Sequence, residues 1–139
     1  GVVTSRLRTE ADAAQLIQAL WKDYNDSQDT LDAAARVADS HAGVVDLQEA
    51  VLEVQVQAER IHAQAKSLLA WQLALVARAR MPCLHDTTAN RQSVARIVRS
   101  YLRPLDIDLG SASSLVDLAT EYAVADTPAR SFTSGVLGF

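Results

Sequence analysis

The sequence predicts an all-α fold: an elongated helical hairpin of coiled-coil type, with two long heptad-bearing helices, two short helices and an extended C-terminal tail. Three observations lead there. Residues 4–42 and 44–81 are two long stretches without a single Gly or Pro. A seven-residue apolar repeat, which lays one stripe of a helix along a partner, runs through both. Apolar content is 49% but aromatic content only 5%, with Ala prominent, which suits packed helices better than a sheet.

The first long helix is expected at about residues 8–40. Leu7, Ala14, Trp21, Gln28, Ala35 and Ala42 recur at every seventh position. Ile17, Tyr24, Leu31 and Ala38 fill a second row, with Glu10 as its exception. The segment from Asp23 to Thr30 is rich in Asn, Asp and Ser, which favour caps and turns. The register survives that crossing, which favours one continuous helix; a break near Asn25–Gln28 is the alternative.

A turn follows. The register jumps between Ala42 and Val44, and Gly43 between them is a natural left-handed helix stop. Asp46-Leu47-Gln48-Glu49 matches a capping box, with Val45 and Ala50 placed as a staple. Two long helices joined in this way form an antiparallel hairpin. The alternative is a kinked rod that pairs in parallel with another chain.

The second long helix is expected at about residues 46–81, in a stretch of roughly 55 Å at the usual helical rise. One row of its seam holds Val44, Val51, Ala58, Ala65, Gln72 and Ala79. The other holds Leu47, Val54, Ile61, Leu68 and Leu75. A seam of Ala and Val buries little per layer, so part of the stability is expected from a second chain. Val45, Leu52 and Val56 lie off this seam, on a flank that no predicted helix reaches. From Leu68 to Ala77 the helix is apolar nearly all round, so further helices should cover Trp71. That run is too short for a bilayer span and is followed by Arg78 and Arg80, so no membrane insertion is expected.

Pro82 ends the second helix. Thr87 or Thr88 can cap a third, at about residues 88–102, with Val94, Ile97, Val98, Tyr101 and Leu102 inward. Leu105 to Leu109 reads as an extended connector. A fourth helix is expected at about residues 112–124, with Leu115, Leu118, Ala119 and Tyr122 inward. Residues 127–139 carry Pro128, Gly135 and Gly138 and read as a tail. Residues 1–126 are thus taken as one elongated domain. A start at Gly suggests a segment of a larger protein.

Function is less legible. The single Cys83 excludes an internal disulfide and fits a reducing, intracellular compartment, with the cytoplasm expected. Cys83 and His85 share a loop, but no second ligand pair at metal spacing accompanies them, and no cofactor motif is present. Net charge is −4, so nucleic acid is not an expected partner. The charge is unevenly spread: residues 78–103 hold six Arg against one acid, between two acidic ends. Arg96, Arg99 and Arg103 form a stripe on the outer side of the third helix, suited to carboxylates or phosphates and expected to face acidic helix surfaces of the same chain or a neighbour.

The expected role is a non-catalytic scaffold that self-associates through its helix seams, as a homodimer, within an assembly of other proteins. The seam residues Val44, Leu47, Val51, Val54, Ile61 and Leu68, with Leu52 and Val56 on the flank, are the candidates for that packing. The first rival is a binding module that docks an acidic partner on the Arg stripe. The second is an enzyme that uses the Cys83–His85 loop.

Overall fold

The computed structural model describes residues 2–81, 85–105 and 112–125, with side chains from Glu10 onward. They form four α-helices: α1 (Val2–Ser40), α2 (Gln48–Arg80), α3 (Thr88–Leu102) and α4 (Ser113–Val124). Short 3-10 turns occupy Val45–Leu47 and Arg103–Leu105, and the described residues include no strand. The expected tail, most of the Leu105–Leu109 connector and Cys83 lie outside the described residues. The chain divides into two compact units: residues 19–69, and residues 1–18 together with 70–139.

α1 crosses residues 23–30 unbroken. Ser27 Oγ donates to the Tyr24 carbonyl at 2.6 Å, and Thr30 Oγ1 to the Asp26 carbonyl at 3.2 Å. These hydroxyls bond back onto their own helix and do not divert the backbone into a turn.

The turn itself differs from expectation. Gly43 does not adopt the left-handed conformation. α1 ends by tightening: the His41 amide is shared between the Val37 and Ala38 carbonyls, and the Ala42 amide reaches Asp39. The capping box does not form either, because Asp46 lies within a 3-10 turn and not ahead of the helix. Val44 stands at the cap position with no side-chain bond, and Gln48 Nε2 donates back to the Ala42 carbonyl at 3.2 Å.

In residues 19–69, α1 and α2 pack side by side as an antiparallel hairpin. The α1 face turned inward is Leu20, Tyr24, Ser27, Leu31, Ala34 and Ala38. That of α2 is Val51, Gln55, Ala58, His62, Ala65 and Leu69. Steps of three and four residues hold throughout, as heptad packing requires. One row in each helix is the row that periodicity predicts: Tyr24, Leu31 and Ala38 in α1, and Val51, Ala58 and Ala65 in α2.

The other row is displaced by one residue in both helices. Leu20, Ser27 and Ala34 replace the expected Trp21, Gln28 and Ala35, which sit half-buried beside them. Gln55, His62 and Leu69 replace Val54, Ile61 and Leu68, which are exposed. The cause is a polar layer. Ser27 and His62 meet across the hairpin, Oγ to Nδ1 at 3.1 Å, while the Tyr24 ring stacks on the imidazole at 4.9 Å. In α2 a row chosen for hydrophobicity passes over such a layer and selects the apolar Ile61, whereas in α1 Ser27 and Gln28 are both polar and do not separate the two rows.

The other unit has a conventional core. Leu73, Val94, Val98, Leu102, Leu115 and Val116 have essentially no exposure, and Ile17 is buried in the same unit. α3 turns Val94, Val98 and Leu102 inward, as its periodicity predicts, and Thr87 caps it by accepting from the Asn90 amide at 3.1 Å. α4 buries Leu115 and Ala119 as expected, and adds Val116, Thr120, Ala123 and Val124. Thr120 is tolerated there because its hydroxyl donates to the Val116 carbonyl at 2.8 Å. Trp71 lies under α4, its ring edge-on to Tyr122 at 5.8 Å.

Candidate interaction surfaces

Because the hairpin's inner row runs through Gln55, His62 and Leu69, the row one residue earlier is pushed out. Leu47, Val54, Ile61 and Leu68 are 44%, 56%, 54% and 50% exposed. They keep seven-residue spacing along one flank of α2 and its leading turn. A second flank carries Val45, Leu52 and Val56, also exposed. Val44 is exposed at the turn, and Val51 is half-buried inside the hairpin. The sequence-predicted seam is therefore split: Val51 serves the hairpin, whereas the other named residues face outward.

Between α1 and α2 the first flank opens into a groove of about 430 Å³. Leu20, Ile61 and Leu68 supply its apolar surface, and Asp23, Asp26 and Gln64 its polar edge. Residues 19–69 hold nine acidic against four basic side chains, so the hairpin is an acidic body with aliphatic rows.

The polar layer inside the hairpin has its own electrostatics. Ser27 has a single hydroxyl hydrogen and directs it at the Tyr24 carbonyl, so the Nδ1–H tautomer of His62 donates to Ser27 Oγ. Burial holds His62 below the usual imidazole range; Lys66 lowers it further, and Asp32 acts in the opposite sense. Burial also raises Tyr24 above its usual value. Ser27 is 6% exposed and committed to its own helix, so this layer is a register pin more than a reactive site.

The Arg cluster also divides. Arg91 grips Asp86 with two bonds, Nε at 2.6 Å and a terminal nitrogen at 3.1 Å, and reaches Glu121 of α4 as well. This fork-on-carboxylate pairing holds Asp86 below the usual carboxylate range and raises Arg91. Arg78 donates to the Ala123 carbonyl at 3.5 Å, and Arg80 lies over the Tyr101 ring at 5.1 Å. Arg96, Arg99 and Arg103 are exposed on the outer side of α3, and none forms an ion pair with a described residue.

His85 is exposed, with its carbonyl accepting from Asn90 Nδ2 at 2.8 Å; Cys83 lies outside the described residues. Among the described residues no group of His, Cys, Asp and Glu is placed to hold a metal ion. No helix among them is long and apolar enough to cross a membrane. No family model, curated protein or solved structure matches the chain.

Proposed function

We propose that this chain is a structural, non-catalytic assembly element that self-associates through the exposed aliphatic rows of its hairpin. The observation that carries the reading is Leu47, Val54, Ile61 and Leu68, four large aliphatic side chains at heptad spacing and each about half exposed. A soluble helix normally turns such a row inward, and a contiguous uncovered row is a site for another helix. The simplest occupant is a second copy, with a homodimer as the smallest closed product. Other proteins of a larger assembly would then attach to surfaces the dimer leaves open.

Sedimentation equilibrium at micromolar concentration tests this. The chain is expected at twice its 15.0 kDa mass or more. Val54→Gln, Ile61→Gln and Leu68→Gln combined should give a monomer with unchanged helix content. A wild-type monomer across the accessible range would overturn the reading.

A second reading is favoured by one specific feature. Arg96, Arg99 and Arg103 stand exposed and without an ionic partner among the described residues, as expected of a module that docks an acidic protein. Such a module binds as a monomer, so the same sedimentation run separates the two.

A further inference from the structure

We infer that the acidic partner of the Arg stripe is a second copy of this chain: Arg96, Arg99 and Arg103 of one molecule dock on the groove edged by Asp23 and Asp26 of another. This rests on the self-association reading and specifies which surfaces meet.

The argument is one of matched spacing and opposite charge. Arg96, Arg99 and Arg103 follow an i, i+3, i+7 pattern, which holds three guanidinium groups on one face over roughly 10 Å. On α1, Asp23, Asp26 and Thr30 follow the same pattern, and all three line the groove. Across the groove Ile61 and Leu68 are also seven residues apart. A three-residue step reads the same in both directions, so two of the Arg side chains meet the two Asp carboxylates whichever way α3 lies.

Neither carboxylate has an ionic partner among the described residues, and neither do the three Arg side chains. The apolar surface has a role in this contact too. Arg carries a long aliphatic stem, and stems laid across Leu20, Ile61 and Leu68 remove those side chains from water while the charged ends reach the rim. Arg suits this better than Lys, because its planar fork binds a carboxylate bidentately and is more weakly hydrated. Charges of one sign on α3 and of the other on α1 also disfavour stripe-on-stripe and groove-on-groove encounters, so they select this pairing among the ways two copies can meet.

Charge exchange between two variants provides the test. One variant carries Arg96→Glu, Arg99→Glu and Arg103→Glu; the other carries Asp23→Lys and Asp26→Lys. All five positions are exposed, and far-UV circular dichroism checks that helix content is kept. At low salt each variant alone should associate roughly tenfold more weakly than wild type, the sum of a few exposed pairs of ordinary strength with new repulsion added. Mixing the two should restore association, since the reversed stripe then meets the reversed groove. Neutral versions, with Gln at the three Arg positions and Asn at the two Asp positions, should weaken association, with partial recovery on mixing because the native stripe of one variant then meets the native groove of the other. They also replace the reversed set if that loses helix.

Wild-type association with unimpaired variants, or impaired variants that do not recover on mixing, overturns this inference and leaves self-association standing. The first of these results would leave the Arg stripe for a different acidic protein. A wild-type monomer instead removes the reading on which the inference rests.

Discussion

The two units of this chain solve the burial problem in opposite ways. In residues 70–125 a set of large aliphatic side chains is fully inside: Leu73, Val94, Val98, Leu102, Leu115 and Val116 are essentially inaccessible, although Leu75 is exposed. In residues 19–69 the buried set is Ser27, Ala34, Ala58 and Leu69, while Leu47, Leu52, Val54, Val56, Ile61 and Leu68 face out. A fully buried Leu or Val is worth about 1.5–3 kcal/mol, so the first unit holds its stabilising groups internally. The hairpin has small and polar layers within and its hydrophobic capacity on the surface. On the proposed reading a body arranged like that is completed by a second copy, and its own stability should be modest.

Substitutions at inner and outer positions should separate the units. The largest effect belongs to the conventional core: Leu102→Ala should cost about 2–5 kcal/mol, because the cavity is walled by neighbours that relax only partly. Urea unfolding followed at Trp71, in a Trp21→Phe background, reports on that unit. The hairpin's polar layer comes next. Ser27→Ala should cost about 1 kcal/mol, since it leaves His62 Nδ1–H without its acceptor, and Trp21 fluorescence in a Trp71→Phe background reads it.

Acidity should act on the hairpin in the same direction but more gently. His62 titrates below its usual 6.5 in the folded chain because burial opposes its charged form. The unfolded chain therefore takes up the proton first, and the hairpin loses stability as pH falls from about 6.5 through the lower folded value. Above that window the contribution is fully present. Urea midpoints read at Trp21 between pH 8 and pH 5 should show the decline, and His62→Gln should flatten it.

The smallest expected effect on folding is at Ile61. In dilute protein Ile61→Asp should shift stability by no more than about 0.5 kcal/mol, because the side chain is 54% exposed. A loss of several kcal/mol would place Ile61 inside the hairpin and restore the register that hydrophobicity alone suggests.

That register shows how far the sequence could be read. α3 and its inward face are legible because each inward position is apolar, and its cap is legible to within one residue, since Thr87 and Thr88 both suit the position and Thr87 fills it. The continuity of α1 is legible from the heptads alone. The hairpin seam is only half legible: in α2 the row through Gln55 and His62 looks interrupted and its neighbour looks complete, while in α1 Ser27 and Gln28 interrupt both rows alike. Gly43 and Asp46 mislead for a related reason, since residue type suggests a cap but the 3-10 geometry on both sides of the turn decides.

The Arg cluster was visible in composition, yet its partition was not. Only three-dimensional proximity shows Arg91 bound to Asp86 and Glu121 while Arg96, Arg99 and Arg103 find no ionic partner among the described residues. The separation between neutralised and available charge is therefore a property of the fold.

The most direct test of the contrast between the units is hydrogen exchange followed by mass spectrometry over a range of protein concentrations. A folded unit that contacts a second copy gains stability by mass action, and the gain is easiest to read where the unit's own stability is modest. Amides in residues 48–69 should become markedly better protected as concentration rises from well below to well above the association midpoint. Those in residues 88–102 and 113–124 should already be well protected at the lowest concentration, as a unit with its own core requires. Protection of residues 48–69 that does not change with concentration would contradict the account, because the hairpin would then be complete by itself.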